Sequence, residues 1–369
     1  MVERCGFAYT EPRPVAEAAA EAAWKRLDQK CMPPRAMGLL ERIAVRIAAI
    51  QGTAAPQLTN PTVFIAAGDH GVMAHNVSFS PQAITWQHSI NMAKGGGMCG
   101  LFARKYSMPL CVFDVGVNHD FAPEDGVINC KVAYGTEDMA SVAAMSDEQC
   151  LKAMEWGRIK VAELAASGCN CIIFGEMGIG NTTPASAITM AVLRQPVEKC
   201  VGSGTGMGPK ALEHKRQIVK QAVELHTQGR ECSAVELMAR LGGYELAFMM
   251  GGMLEAAGQG MVILLDGFIV TAAALLANML DDRLSSYLLA CHVSNEPGHS
   301  LQLASLGLEP LLRAGLCLGE GSGAIVAWPL IKASVDILNE MNSYDEGCLD
   351  NATEALQQAK AQDETLKFS

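Results

Sequence analysis

The stretch NCIIFGEMGIGNTTPASAI, residues 170–188, starts as an unbroken apolar run, breaks into glycines, and resumes as a helix-compatible segment. An apolar run without polar alternation, bounded by turn residues, is the pattern of a strand buried on both faces. The same phrase recurs along the chain: TVFIAA runs into GDHG, PLCVFDVGV into NHD, MVILLD into GF, and YLLACHV into SNEPGH. Helix-periodic stretches lie between these runs, among them QCLKAMEWGRIKVAELAAS and ALEHKRQIVKQAVELHTQ. Strand and helix therefore alternate, which favours a parallel sheet covered on both faces. In such sheets ligands bind beyond the carboxyl ends of the strands, where this sequence concentrates its polar residues and glycines.

The predicted fold class is thus α/β, a three-layer, Rossmann-like parallel sheet. Residues 15–50 read as two alanine-rich helices, VAEAAAEAAWKRLDQK and RAMGLLERIAVRIAAI, separated by the prolines of CMPP. The predicted organisation is a set of N-terminal helices within 1–55, a catalytic α/β core over 56–330, and a helical tail over 331–369. The tail packs with the N-terminal helices as a smaller region. Its end, NATEALQQAKAQDETLKFS, reads as a solvent-facing helix without visible chemistry.

Half of the 369 residues are hydrophobic and 18% are charged, a composition that buries a large core. The net charge of −11 argues against nucleic acid and anionic membrane as partners, since both need a basic face. No apolar run reaches the roughly 18 residues that span a bilayer, and MVERCGFAYTEPRP carries charges where a signal peptide needs an apolar segment. The thirteen cysteines include no CxxC pair, the nearest being Cys169 and Cys171, which fits reduced thiols and a cytoplasmic location.

Several loops have donors suited to chemistry. In GEMGIGNTTPASAI, glycines admit close backbone approach, and the helix that begins near Thr182 and Thr183 offers N–H groups and a dipole to a phosphate. The bland reading is a tight strand-to-helix turn. The loop lacks the third glycine of a dinucleotide fingerprint, which counts against a nicotinamide-dependent dehydrogenase. VGSGTGMGPK is a second glycine-rich loop, and glycine repeats also make plain turns. Asp69, His70, His75, His292, Glu296 and His299 are potential metal donors, but no recognised zinc spacing joins them, and no metal or other cofactor is expected. Glu320, in LCLGEGSGAIVAWP, stands between two glycines. It either begins a helix, where the dipole favours it, or serves as a base, made a stronger proton acceptor by apolar neighbours such as Leu318.

Read together, AAGDHGV, VSFSPQAITWQ, KGGG, FDVGV, GEMGIGNTTPASAI, VGSGTG, GGYELAFMMGGML, LDGFIVTAAALLA, SNEPGH and LGLEPLLRAGLCLGEGSGA resemble, in order, the nicotinate-nucleotide:dimethylbenzimidazole phosphoribosyltransferase family of cobamide synthesis. The match covers roughly residues 10 to 335. The resemblance implies transfer of ribose 5-phosphate from nicotinate mononucleotide to an aromatic lower-ligand base, with inversion at the anomeric carbon. It places the catalytic carboxylate at Glu320, whose flanking glycines would clear room for a flat ring. It implies a phosphate and nucleotide set of Gly178, Gly180, Gly204, Lys215, Ser294 and Glu176. It also implies an aromatic-base pocket of Ser78, Ser80, Gln87, Met177 and Leu318.

The sequence departs from the family pattern at Ser80, where a Tyr is frequent, at MGP after GTG, and at His88, which follows the retained Gln87. The lost Tyr leaves benzimidazole and phenol both open as acceptors. A branch of the family that attaches phenols works as two unlike subunits. The expected partners are therefore the two substrates and a second chain, as a homodimer or as a heterodimer with a paralogue. The alternative is that this chain is a non-catalytic or partly active subunit of such a heterodimer.

Overall fold

The computed structural model describes residues 1–204 and 206–351, so the predicted tail helix beyond Asn351 lies outside the described residues. The chain divides into two compact units. The larger comprises Met1–Arg13 and Thr59–Ala327; the smaller comprises Pro14–Leu58 and the described part of Trp328–Ser369.

The larger unit carries eight strands: β1 (Val2–Arg4), β2 (Phe7–Tyr9), β3 (Thr62–Gly68), β4 (Leu110–Gly116), β5 (Ile128–Asn129), β6 (Cys171–Met177), β7 (Val262–Leu265) and β8 (Leu288–Ala290). β1 and β2 form an antiparallel hairpin. Its turn places Cys5 at φ 51° and Gly6 at φ 78°, the paired positive angles of a tight hairpin turn. The other six form a parallel sheet in the order β5-β4-β3-β6-β7-β8. The five long apolar runs of the sequence are β3, β4, β6, β7 and β8, and every residue of β3 and β6 is buried.

Side chains alternate across a strand, so each face of the sheet can be identified by what it touches. Phe64 and Phe113 pack with ring centroids 4.7 Å apart and planes tilted by 59°, and Phe113 meets Phe248 of the helix Tyr244–Gly258 at 5.1 Å. Phe174 belongs to that face too, since a Cβ at Gly252 of the same helix would lie 3.0 Å from its ring. Val63, Ile65, Ile173 and Gly175 point the other way, towards the backbone of Glu320 and Gly321. The result is three layers, as the sequence predicts. The helix Asp147–Ala166 closes on Tyr244–Gly258 through glycine, because a Cβ at Gly157 would sit 1.9 Å from the Phe248 carbonyl oxygen.

The strand order reverses between β3 and β6: the chain moves outward through β4 and β5, then returns to the far side of β3. At such a switch point neighbouring connections leave on opposite faces and open a crevice at the carboxyl ends. Glu176 and Met177 end β6 at that position.

The smaller unit holds the helices Glu17–Leu27 and Leu39–Gln51. The second begins four residues later than its periodicity suggests, because Gly38, at φ 53°, turns the chain first. Ala23, Leu27, Ala44, Val45, Ala48 and Leu338 make its core.

Candidate active site

The loops following β6, β7 and β8 and the segment 77–80 surround one cavity in the larger unit. Of the residues singled out from the sequence, Ser78, Ser80, Glu176, Met177, Gly178, Gly180, Gly204, Lys215, Ser294, Leu318 and Glu320 all line it. Gln87 does not. It is exposed on the helix Ile84–Ala93.

One end of the cavity is cationic. Lys215, on the helix Pro209–Thr227, is 1% exposed, and its Nζ donates to Thr182 Oγ1 at 2.7 Å. Burial lowers the ammonium to about 8. A Cβ at Gly204 would lie 3.6 Å from Thr182 Oγ1 and 3.7 Å from Lys215 Nζ, so these three groups share a space a few ångströms wide. Gly204 N–H donates to Glu296 Oε1 at 2.9 Å, while the second carboxylate oxygen of Glu296 has no partner among the described residues. Ser294 is fixed by His299: its backbone N–H donates to Nδ1 at 2.9 Å, and the hydroxyl lies 3.0 Å from the same nitrogen. Burial depresses His299 to about 3, which keeps the ring neutral.

The other end is acidic, and its backbone is unusual. Glu320 adopts φ 65°, a left-handed conformation that costs a non-glycine residue about 1 kcal/mol. Three arrangements hold it there. Asp266, just beyond β7, accepts the N–H groups of Gly321 at 3.1 Å and Ala324 at 3.0 Å, capping the helix Ser322–Glu340. Glu320 N–H donates to Glu176 Oε1 at 3.4 Å. The bare Cα of Gly175 lets the Glu320–Gly321 peptide lie against β6.

The flanking glycines serve this packing. A Cβ at Gly319 would stand 2.1 Å from Glu176 Oε1, and one at Gly323 would stand 2.2 Å from the His292 ring. A side chain at either position would therefore meet protein.

The two carboxyl groups differ in environment. Burial, assisted by the charges of Asp266, Glu245 and Glu320, raises Glu176 to about 8, although a hydrogen bond from Asn181 opposes the rise. Glu176 is therefore mainly protonated at neutral pH. One oxygen of Glu320, Oε1, lies 2.8 Å from His88 Nε2, and the other has no partner among the described residues. The site thus pairs an ammonium–hydroxyl couple at one end with a half-satisfied carboxylate at the other. The first suits a phosphate, and the second suits proton abstraction.

A pH prediction follows from Glu176. Its proton is held in the folded state up to about 8 but lost from an unfolded chain near 4.5, so this stabilisation is full below 4.5 and disappears as pH rises towards 8. Glu176→Gln, which cannot ionise, should flatten that decline. Its melting temperature should exceed the wild type by a few degrees at pH 8, with a smaller difference at pH 5, as scanning calorimetry would show. Equal differences at the two pH values would contradict a protonated Glu176.

Three of the potential metal donors lie beside carboxylates, although neither ring nitrogen of His292 makes a hydrogen bond among the described residues. His70 Nε2 lies 2.9 Å from Glu245 Oε1, His75 Nε2 lies 2.8 Å from Asp138 Oδ2, and His292 Nε2 lies 3.5 Å from Asp266 Oδ1. Among the described residues no group of three or more His, Cys, Asp or Glu side chains is placed to hold a metal ion. Nor is any described helix long and apolar enough to cross a membrane. All thirteen cysteines are free thiols.

Asp266, Glu296 and His88 acquire places in or beside the site that the sequence did not assign, and Thr182, whose N–H the sequence offered to a phosphate, adds its hydroxyl. Asp266 had a visible signal, as the acid ending the apolar run MVILLD. His88 had none, since its partner lies 232 residues away.

A sequence model of a phosphoribosyltransferase family matches residues 13–348. The nicotinate-nucleotide–dimethylbenzimidazole phosphoribosyltransferase of Dechloromonas aromatica is 45% identical over 325 residues, covering 88% of this chain and 93% of the relative. The protein of the same name from Phocaeicola vulgatus is 39% identical, covering 89% and 94%. The crystal structure of CobT from Thermus thermophilus superposes with a TM-score of 0.86 at 41% identity, covering 90% of this chain and 99% of that one.

Proposed function

Because this chain belongs to the nicotinate-nucleotide–dimethylbenzimidazole phosphoribosyltransferase family, we propose that it transfers ribose 5-phosphate from nicotinate mononucleotide to an aromatic base, with inversion, in cobamide lower-ligand activation. The observation that carries this reading is the shared cavity. Lys215, Thr182 and Glu320 all line it, and Lys215 Nζ donates to Thr182 Oγ1.

The phosphate is held by Lys215 and the hydroxyls of Thr182 and Ser294, together with backbone N–H groups around Gly178, Gly180 and Gly204. These donors supply a positive site within a chain of net charge −11. The base lies among Ser78, Ser80, Met177 and Leu318. Its nucleophilic atom attacks the anomeric carbon as the bond to the pyridinium nitrogen breaks, and that bond's electron pair neutralises the departing ring. Glu320 takes the proton that the acceptor loses, leaving a neutral ring in the riboside. Fixing two reactants in one cavity supplies much of the acceleration. Dimethylbenzimidazole is the proposed acceptor, and a dimer the proposed assembly.

The test is incubation of the chain with nicotinate mononucleotide and a panel of benzimidazoles and phenols, with and without a paralogous chain, followed by mass identification of the ribosides. Benzimidazole riboside phosphate from the chain alone is the expected product. Product only in the presence of a paralogue would establish the partner-subunit alternative, and phenol riboside alone would change the acceptor class.

Lys215→Ala should raise the donor KM about 30-fold at pH 7, the equivalent of one charge-assisted hydrogen bond worth about 2 kcal/mol. In the wild type, donor binding should weaken as pH rises through about 8 and the ammonium is lost. The variant should show no such step. Unchanged KM in Lys215→Ala would remove Lys215 from the phosphate site.

A further inference from the structure

The Glu320 carboxylate has one side-chain partner among the described residues, His88. Its Nε2 lies 2.8 Å from Glu320 Oε1, and the two side chains are 24% and 12% exposed. On the opposite side of the ring, Asn91 Nδ2 lies 3.2 Å from Nδ1. An amide nitrogen can only donate. With the amide oriented in this way, Nδ1 accepts, and the neutral ring carries its proton on Nε2, facing Glu320.

The other ionisable groups around the pair do not compete for this contact. Cys99, on the helix Gly97–Lys105, is pushed up to about 12 by burial and secondarily by the charge of Glu320, so it stays a neutral thiol. Glu176 touches the Glu320 backbone through Oε1, and Asp266 accepts from Gly321 and Ala324. Gly97 approaches Glu320 Oε2 without donating to it; a Cβ there would lie 3.6 Å away. His88 itself does not line the cavity.

We infer that His88 is a positioning residue for the transfer: its Nε2–H fixes Oε1 of Glu320 and so sets the rotamer from which the carboxylate takes the acceptor's proton. This rests on the reading of Glu320 as the base. The contact restricts the rotamer of Glu320 and so holds the carboxylate in one setting for the acceptor. The same contact raises the imidazole above its usual range.

Two measurements test this. The first needs no turnover: the His88 imidazole is titrated by NMR in the wild type and in Glu320→Gln. Its midpoint should fall by about one pH unit when the carboxylate is removed, and an unchanged midpoint overturns the pairing. The second follows nicotinate release from nicotinate mononucleotide with 5,6-dimethylbenzimidazole between pH 5 and 9. In His88→Leu kcat should fall about tenfold, with donor KM within about twofold of wild type. His88→Gln keeps an N–H donor and should recover most of that rate. An unchanged kcat in His88→Leu overturns the inference, as does an equal loss in both variants, the mark of a merely structural role. If the wild type releases no nicotinate with any acceptor, the transfer reading fails, and the pairing is judged on the imidazole midpoint alone.

Discussion

Glu320→Ala is expected to lower kcat about 10²–10⁴-fold while nucleotide binding stays close to wild type. The size follows from what the side chain is asked to do. A positioned base contributes only as the acceptor's proton leaves, so its removal is felt in the transition state and hardly in the bound donor. The donor's charge is met at the far end of the cavity by Lys215, which this substitution does not touch. Alanine at a left-handed position also retains the strain that Glu320 already carries, so the loop should keep its course. Single-turnover nicotinate release and calorimetric binding of the nucleotide separate the two effects. A normal rate would remove Glu320 from the chemistry.

The second large effect should come from a residue with no side chain. Gly175→Ala puts a Cβ 2.5 Å from Gly321 N, 2.7 Å from Glu320 C and 2.6 Å from Ile65 Cδ1. Ordinary contact requires about 1 Å more, and β6 is buried along its whole length, so the Glu320–Gly321 loop is the element that yields. A displacement of about 1 Å at a catalytic group costs on the order of 10²-fold in rate. The expected result is a kcat reduced about 10²-fold with an intact far-ultraviolet spectrum and near-normal donor binding. Wild-type kcat in Gly175→Ala would show that the loop position is not critical.

How much of this was legible in the sequence depended on whether the controlling contacts were local. β3, β4, β6 and β7 were readable because strands buried on both faces need continuous apolar runs. β5, two residues long, and the hairpin turned by Cys5 and Gly6 carried no comparable pattern. Most of the candidate site residues were found through resemblance, and the structure gathers all but Gln87 around one cavity. The roles of the glycines were not legible. Gly175, Gly319 and Gly323 are bare because Glu320, Glu176 and His292 approach them, and those approaches depend on tertiary packing. The contact between His88 and Glu320 was hidden for the same reason.

The left-handed seat of Glu320 also restricts what evolution or a designer can install there. Any replacement is screened first by backbone conformation and only then by reactivity. Gly, Asn and Asp pass the first screen readily, whereas Val, Ile and Thr meet a steric penalty before their chemistry is ever sampled. The mutational alphabet at this position is short for a conformational reason. A saturation library would therefore under-report which functional groups the reaction itself can tolerate.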